Sequence, residues 1–255
     1  MAKLPDNEPE QLAEGTLISH LLELRSRLLK AVLAIAAIFL ALSPFTQRVF
    51  EFVSAPLLRV LPDGKMIVTK VASPFLTPFK TTFFVALFLA MPVVLYQVWQ
   101  FVAPGLYRRE KRFALPLLIS SIVLFYTGMA FAYFIVFKVM FAFFVRVSPE
   151  NVAQMPDIDA YLDFVLVMFL SFGLAFEVPV ATVMLIWSGL VSIKSLKAAR
   201  AYMFLGAFVA GMLLAPDVFS MTLLAVPVYL LYEGGLVFAR IMLPEKTAVE
   251  KEAKT

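Results

Sequence analysis

The stretch Phe101-Val-Ala-Pro-Gly-Leu-Tyr-Arg-Arg-Glu-Lys-Arg-Phe113 decides how the chain is read. Long apolar runs stand on both sides of it, each long enough to cross a hydrocarbon core of about 30 Å, so it is a loop at a membrane surface. Arg108, Arg109, Lys111 and Arg112 make it basic, and an excess of Lys and Arg assigns a short loop to the cytoplasmic side. Pro104 and Gly105 stop the preceding helix and set the direction in which the chain leaves it. Glu110 stands alone among these cations. A carboxylate there can capture an arginine-bearing partner, or simply balance its neighbours. The loop by itself does not choose.

Working outward, composition confirms the membrane setting. The chain of 255 residues is 62% hydrophobic and 16% charged, whereas soluble domains are about 45–50% apolar. It has no cysteine and a single histidine, His20, which excludes thiolate chemistry and most histidine-based metal sites and triads. Residues 1–16 are polar and acidic, with no small-residue cleavage pattern after the first apolar run. The expectation is therefore a retained first span rather than a secretory signal.

Apolar runs predict six spans at about 28–48, 79–102, 114–144, 161–187, 201–214 and 220–240. Residues 1–15, with two prolines and Asp6, Glu8, Glu10 and Glu14, read as a disordered tail, and 241–255 as a charged one. From Thr16 an amphipathic helix is expected on the cytoplasmic surface, with Leu17, Ile18, Leu21, Leu22, Leu24, Leu28 and Leu29 on its apolar face. The connection at about 49–78 is rich in proline, with a short outer helix near Phe50–Leu58. About 15 of the 22 Lys and Arg residues fall on the side of the central loop if both termini lie there. This distribution predicts an all-α membrane protein with six transmembrane helices, N-in and C-in. At 1.5 Å per residue, span five is only about 21 Å long. Such a span either thins the bilayer locally or is accommodated by tilt elsewhere.

Within the spans, Glu177 is the residue that demands an account. A carboxylate in hydrocarbon costs about 2.5–3.5 kcal/mol on insertion scales, so it faces a cavity, a partner or a polar patch, or makes a helix-packing hydrogen bond. Glu233 sits nearer the cytoplasmic end of span six. Glu23 and Glu110 share the cytoplasmic face, and two carboxylates can receive two adjacent arginines, each pair bidentate. Exposed acids more often do nothing of the kind. No phosphate loop, dinucleotide fingerprint, nucleophile elbow or metal-ligand spacing occurs, so neither an enzyme nor a cofactor or metal site is expected. A small-solute transporter using Glu177, which would show internal repeats, and a structural scaffold are the alternatives.

The runs His20-Leu-Leu-Glu-Leu-Arg-Ser-Arg-Leu-Leu29, Ser54-Ala-Pro-Leu57, Ala72-Ser-Pro-Phe75, Gln97-Val-Trp-Gln-Phe-Val-Ala-Pro-Gly-Leu-Tyr107, Phe125-Tyr-Thr-Gly-Met-Ala-Phe-Ala-Tyr133, Phe176-Glu-Val-Pro179 and Asp217-Val-Phe-Ser220 occur in order. Together they resemble the TatC family, the multispanning subunit of the twin-arginine protein translocase. The resemblance implies a cupped six-span fold and a receptor for the Arg-Arg motif of signal peptides on folded cargo. It also implies assembly with TatA and TatB, homo-oligomers within the complex, passage driven by the proton-motive force, the inner membrane as location and no nucleic-acid partner. It puts Glu23, Glu110, Arg25, Leu28 and Phe101 in the signal-peptide patch and Glu177 on the concave face. Pro56, Tyr133, Asp217 and Met221 fall at outer-side or partner positions. One departure stands out: the family's Pro-Pro-Asp-Val-Phe-Ser-Gln reads Ala215-Pro-Asp-Val-Phe-Ser-Met221 here, which removes an amide.

Overall fold

The computed structural model describes residues 8–58, 66–102, 111–149, 155–214 and 217–242. Among them the regular elements are helices: α1 Glu8–Leu42, α2 Thr46–Leu58, α3 Ser73–Val102, α4 Lys111–Phe131, α5 Phe137–Val147, α6 Ile158–Ala175, α7 Val178–Trp187, α8 Ile193–Ala198, α9 Arg200–Leu214 and α10 Val218–Met242. An isolated bridge between Ile67 and Asp157 is the extended contact among these residues. The fold is all-α. Among the described residues, five helical stretches are long and apolar enough to cross a membrane: Leu21–Ala55, Ser73–Phe101, Leu115–Val147, Ile158–Trp187 and Val218–Ile241. The apolar helix Arg200–Leu214 is shorter, about 22 Å at 1.5 Å per residue.

Local sequence explains where these helices begin, bend and stop. No Pro or Gly lies between Thr16 and Ser43, so α1 runs without interruption through the segment expected to lie on the surface. A surface helix leading into a span needs a break between them, and the chain supplies none before the 3-10 turn Ser43–Phe45 with Pro44. Helix α3 starts at Ser73 rather than 79, because Pro74 sits in the first turn, where its missing N–H is not needed. The helix also continues through Pro78 and Pro92. Between α4 and α5 the helix carries a π turn, Ala132–Val136, with Tyr133 inside it. Between α6 and α7 it breaks at Phe176 and Glu177, and Pro179 sits in the first turn of α7.

Side-chain pairs set the packing directions. Arg27 meets Gln100 and Phe39 meets Phe83, so α1 lies antiparallel on α3. Thr77 meets Asp159 and Phe88 meets Phe169, so α3 and α6 run the same way. Helix α4 opposes α6, and a Cβ on Gly128 would collide with the Phe172 carbonyl, which is how the two backbones come so close. The main core gathers Phe125, Phe137, Met140, Leu162, Leu166 and Phe172 with Phe88 and Met91. A second cluster joins Val183 and Ile186 of α7, Ile193 of α8, and Tyr232 and Leu236 of α10. By contrast α1 and α9 keep most of their apolar surface outside, with Leu21, Leu28, Leu33, Tyr202, Leu205 and Leu213 exposed.

The helices thus collect their termini at two ends. One end holds Glu23 of α1, the last turn of α3, the start of α9 and the close of α10. The other holds the segment 66–72, the starts of α3, α6 and α10, and the close of α5.

Candidate functional site

At the first end, Arg27 lies one turn after Glu23 on α1 and donates from both Nε (3.0 Å) and Nη2 to the same oxygen, Glu23 Oε1. Its third nitrogen, Nη1, donates to Gln100 Oε1 on α3 at 2.6 Å. Gln100 Nε2 in turn donates to the Tyr96 hydroxyl. The guanidinium is the more enclosed partner, 16% exposed against 34% for the Glu23 side chain. Among the described residues nothing engages Glu23 Oε2. Arg25 and Leu28 point outward beside it, and Phe101, next after Gln100, is partly buried at the end of α3. Glu110 lies outside the described residues. Of the expected patch, then, Glu23, Arg25, Leu28 and Phe101 are brought to one end of the bundle.

Arg27 and Gln100 were not anticipated as part of this patch. The (i, i+4) spacing of Glu23 and Arg27 carried the signal, since Glu placed N-terminal to a cation at that spacing is the favourable order on a helix. No sequence signal pairs residues 27 and 100. A second ion pair stands at the same end, where Arg200 Nη2 donates to Glu233 Oε2 at 2.6 Å and the Tyr229 hydroxyl reaches Oε1 at 3.2 Å.

Glu177 occupies the break between α6 and α7. Ser121 of α4 donates its hydroxyl to Oε2, while Oε1 is buried without a hydrogen-bond partner among the described residues. The interrupted helix brings the carboxyl group against α4 with half its acceptor capacity unmet. A buried acceptor in that condition costs about 1–3 kcal/mol.

The opposite end is a polar clasp. Asp157 caps α6: Oδ1 accepts from the Asp159 and Ala160 amides at 3.0 Å each, and Oδ2 accepts from the Thr69 hydroxyl at 2.6 Å and the Thr69 amide at 3.0 Å. These bonds, the Thr69 hydroxyl first, hold its carboxyl below the ordinary value. Asp159 accepts from Ser73 Oγ at 2.7 Å and from Thr77 Oγ1. Tyr133 stacks on Phe169 at 6.4 Å. Asp217 caps α10 by accepting from the Ser220 amide (2.8 Å) and hydroxyl (2.6 Å). Met221, half-buried, packs on Gly211 of α9, where a Cβ would stand 3.0 Å from both Met221 Cγ and its carbonyl oxygen. Pro56 falls in α2. Asp217 is therefore a helix cap and Met221 a packing contact near the same end, while Tyr133 packs well inside the bundle, level with Phe169 and Phe88. Among the described residues no His, Asp and Glu cluster is suited to a metal.

The family model described as "Sec-independent protein translocase protein (TatC)" matches residues 19–227, which include every candidate from Glu23 to Met221. The chain belongs to the TatC family. It is 58% identical over 251 residues to TatC of Azotobacter chroococcum mcd 1, covering 97% of each chain. To TatC of Escherichia coli (strain K12) it is 54% identical over 226 residues, 88% of each. A crystal structure described as "Twin Arginine Translocase Receptor- TatC" matches with a TM-score of 0.80 at 36% identity, over 87% of this chain and 98% of the other. As a TatC-family protein, the chain is a multispanning membrane component of the Sec-independent protein translocase, and its work is protein transport. Solute transport through Glu177 gives way to that assignment.

Proposed function

We propose that this TatC-family chain is the cytoplasmic-face receptor for Arg-Arg signal peptides and the organiser of TatA- and TatB-type partners in the inner membrane. Both termini then lie in the cytoplasm, and six spans form a cup whose concave face includes Glu177. The observation that carries the reading is Glu23: a carboxylate with Oε2 unengaged among the described residues, beside the end of α3 that leads to the basic loop with Glu110. The solved relative described as a receptor supports it.

In this reading the two signal arginines pair with Glu23 and Glu110, with charge-assisted bonds worth about 1.5–3 kcal/mol each. Arg25, Leu28 and Phe101 border the contact. The hydrophobic part of the signal then inserts along the cup, TatA gathers, and the proton-motive force drives passage of the folded cargo. The exposed flanks of α9 and α10 receive the single-span partners, near Asp217 and Met221.

The test is binding of signal peptides to the full-length protein in bilayer nanodiscs, Arg-Arg against Lys-Lys, with Glu23→Gln and Glu110→Gln alongside. The expected result is a preference for Arg-Arg of about tenfold or more, reduced by each substitution. Equal binding of both peptides, indifferent to both substitutions, would refute it.

A further inference from the structure

We infer that Arg27 is a built-in competitor for the Glu23 carboxylate, displaced when a signal arginine binds, and that this exchange sharpens the choice of arginine over lysine. The inference rests on the receptor reading of Glu23. Its starting point is that the carboxylate already has a guanidinium on it: Arg27 turns Nε and Nη2 onto Oε1. A second guanidinium that pairs in the two-pronged fashion needs both carboxylate oxygens. It can have them only if Arg27 gives up Oε1.

The surroundings make such an exchange feasible. Arg27 is tethered independently, through the 2.6 Å bond from Nη1 to Gln100 Oε1, so on leaving Glu23 it keeps a neutral acceptor rather than losing every partner at once. Gln100 is itself committed, its amide nitrogen donating to the Tyr96 hydroxyl, which fixes the carbonyl toward Arg27. The carboxylate is also the more accessible partner of the pair. An approaching side chain meets Glu23 before it meets Arg27.

The competitor filters by chemistry. An incoming arginine replaces one planar, two-pronged donor by another, so Glu23 loses nothing in the exchange. A lysine offers a compact, strongly hydrated point charge in place of the fork. It must displace Arg27 for fewer directed bonds, or sit at Oε2 with the Arg27 charge close by. Either way the resident arginine penalises lysine more than arginine. Without Arg27, any cation near Glu23 gains Coulomb energy and the discrimination narrows.

The experiment measures affinities of Arg-Arg and Lys-Lys signal peptides for the full-length protein in nanodiscs, as wild type, Arg27→Gln, Arg27→Lys and Glu23→Gln. Arg27→Gln is expected to tighten binding of both peptides, the Lys-Lys peptide more, so that the Arg-Arg to Lys-Lys ratio shrinks about three- to tenfold, the range of a partly shielded ion pair. Arg27→Lys keeps the charge without the fork and folds as the conservative variant; its ratio should fall between the other two. Weaker Arg-Arg binding in Arg27→Gln with binding still dependent on Glu23, or an unchanged ratio in both Arg27 variants, would overturn the exchange and leave the receptor reading intact. Wild-type binding indifferent to Glu23→Gln would overturn both.

Discussion

Replacing Asp159 by alanine should loosen the end of the bundle opposite Glu23. Its carboxylate takes the hydroxyl protons of Ser73 (2.7 Å) and Thr77 and lies 3.5 Å from Lys70 Nζ. The two hydroxyl donors are 2% and 1% exposed, so neither can turn to water when the acceptor is gone. Lys70 is different: its side chain is 73% exposed and its contact is long. Hydrogen bonds to a charged acceptor are worth about 1.5–3 kcal/mol each, and an orphaned buried donor costs about 1–3. Allowing for partial re-pairing of the hydroxyls with nearby carbonyls, Asp159→Ala should cost about 2–4 kcal/mol, whereas Lys70→Ala should cost under about 0.5 kcal/mol.

For a chain of this size that difference reads as a Tm lower by about 5–15 °C in Asp159→Ala and a shift of under about 2 °C in Lys70→Ala. Thermal unfolding of the detergent-solubilised protein, monitored by tryptophan fluorescence, separates the two. Asp159→Asn keeps one acceptor oxygen and should fall between them. If the lysine substitution is as damaging as the aspartate one, the ion pair and not the buried hydroxyls holds the clasp, and the reasoning is wrong. An unchanged Tm in Asp159→Ala would refute it outright.

Asp157 gives the clasp a pH dependence. Its folded pKa is depressed, so its stabilisation is fully present above the unfolded carboxylate value and disappears as pH falls through the lower folded value. The Tm gap between wild type and Asp157→Asn should therefore be flat above about pH 5 and close in acid; a gap that grows in acid contradicts the assignment. The pair Glu177→Leu with Ser121→Ala should raise Tm, since together they remove a buried carboxyl with one unpaired oxygen, at about 1–3 kcal/mol, without orphaning the buried Ser121 hydroxyl, while lowering Tat-dependent export. A fall in Tm would mean that the Ser121 bond outweighs the unmet oxygen. Gly211→Leu should force α9 off Met221 at a cost of about 1–3 kcal/mol, read as lost thermal stability and weakened cross-linking between cysteines placed on α9 and α10. Unchanged stability and cross-linking would show that the backbones are not in close contact.

Hydropathy carries the helices of this protein far into the membrane reading, because a span must satisfy its backbone internally and so must be a long apolar helix. The helix breaks are less visible. Pro179 announces the interruption at Glu177, but the π turn around Tyr133 has no proline and inserts its extra residue without a local sequence mark. Conversely, Pro74 and Pro78 look like loop residues in sequence and prove to belong to α3: a missing N–H costs little at Pro74, in the first turn, while Pro78 lies inside the helix. At the candidate site, Glu23 was legible from its resemblance and its acidity. The bond from its partner Arg27 to Gln100 was not, because that contact joins residues 73 positions apart and depends on the antiparallel seating of α1 on α3. The cap that Asp157 places on α6 is local, but the rest of the Asp157 and Asp159 clasp was hidden for the same reason: in sequence the two acids belong to an acidic loop, and only the tertiary fold brings them hydroxyls more than eighty residues away.

The two ends of the bundle are therefore held by different kinds of bond, and the difference bears on function. At the Asp159 end most donors are short hydroxyls and backbone amides, which have few rotamers to lose, while the ion pairs there, Lys70–Asp159 and Lys80–Asp163, rest on exposed lysines and add little. At the Glu23 end the contacts run through Arg27, Gln100, Arg200 and Glu233, long side chains that can change partner without moving a helix. A recognition surface needs that second kind of contact, since binding must replace bonds already made. A frame that keeps α3, α6 and α10 in register needs the first. Substitutions at the Asp159 end should accordingly lower stability with signal-peptide preference intact, while those at Arg27 should shift the preference with stability nearly intact. Measuring Tm and the Arg-Arg to Lys-Lys affinity ratio on the same set of variants tests the division directly: if the two quantities fall together in every variant, the ends are not functionally distinct.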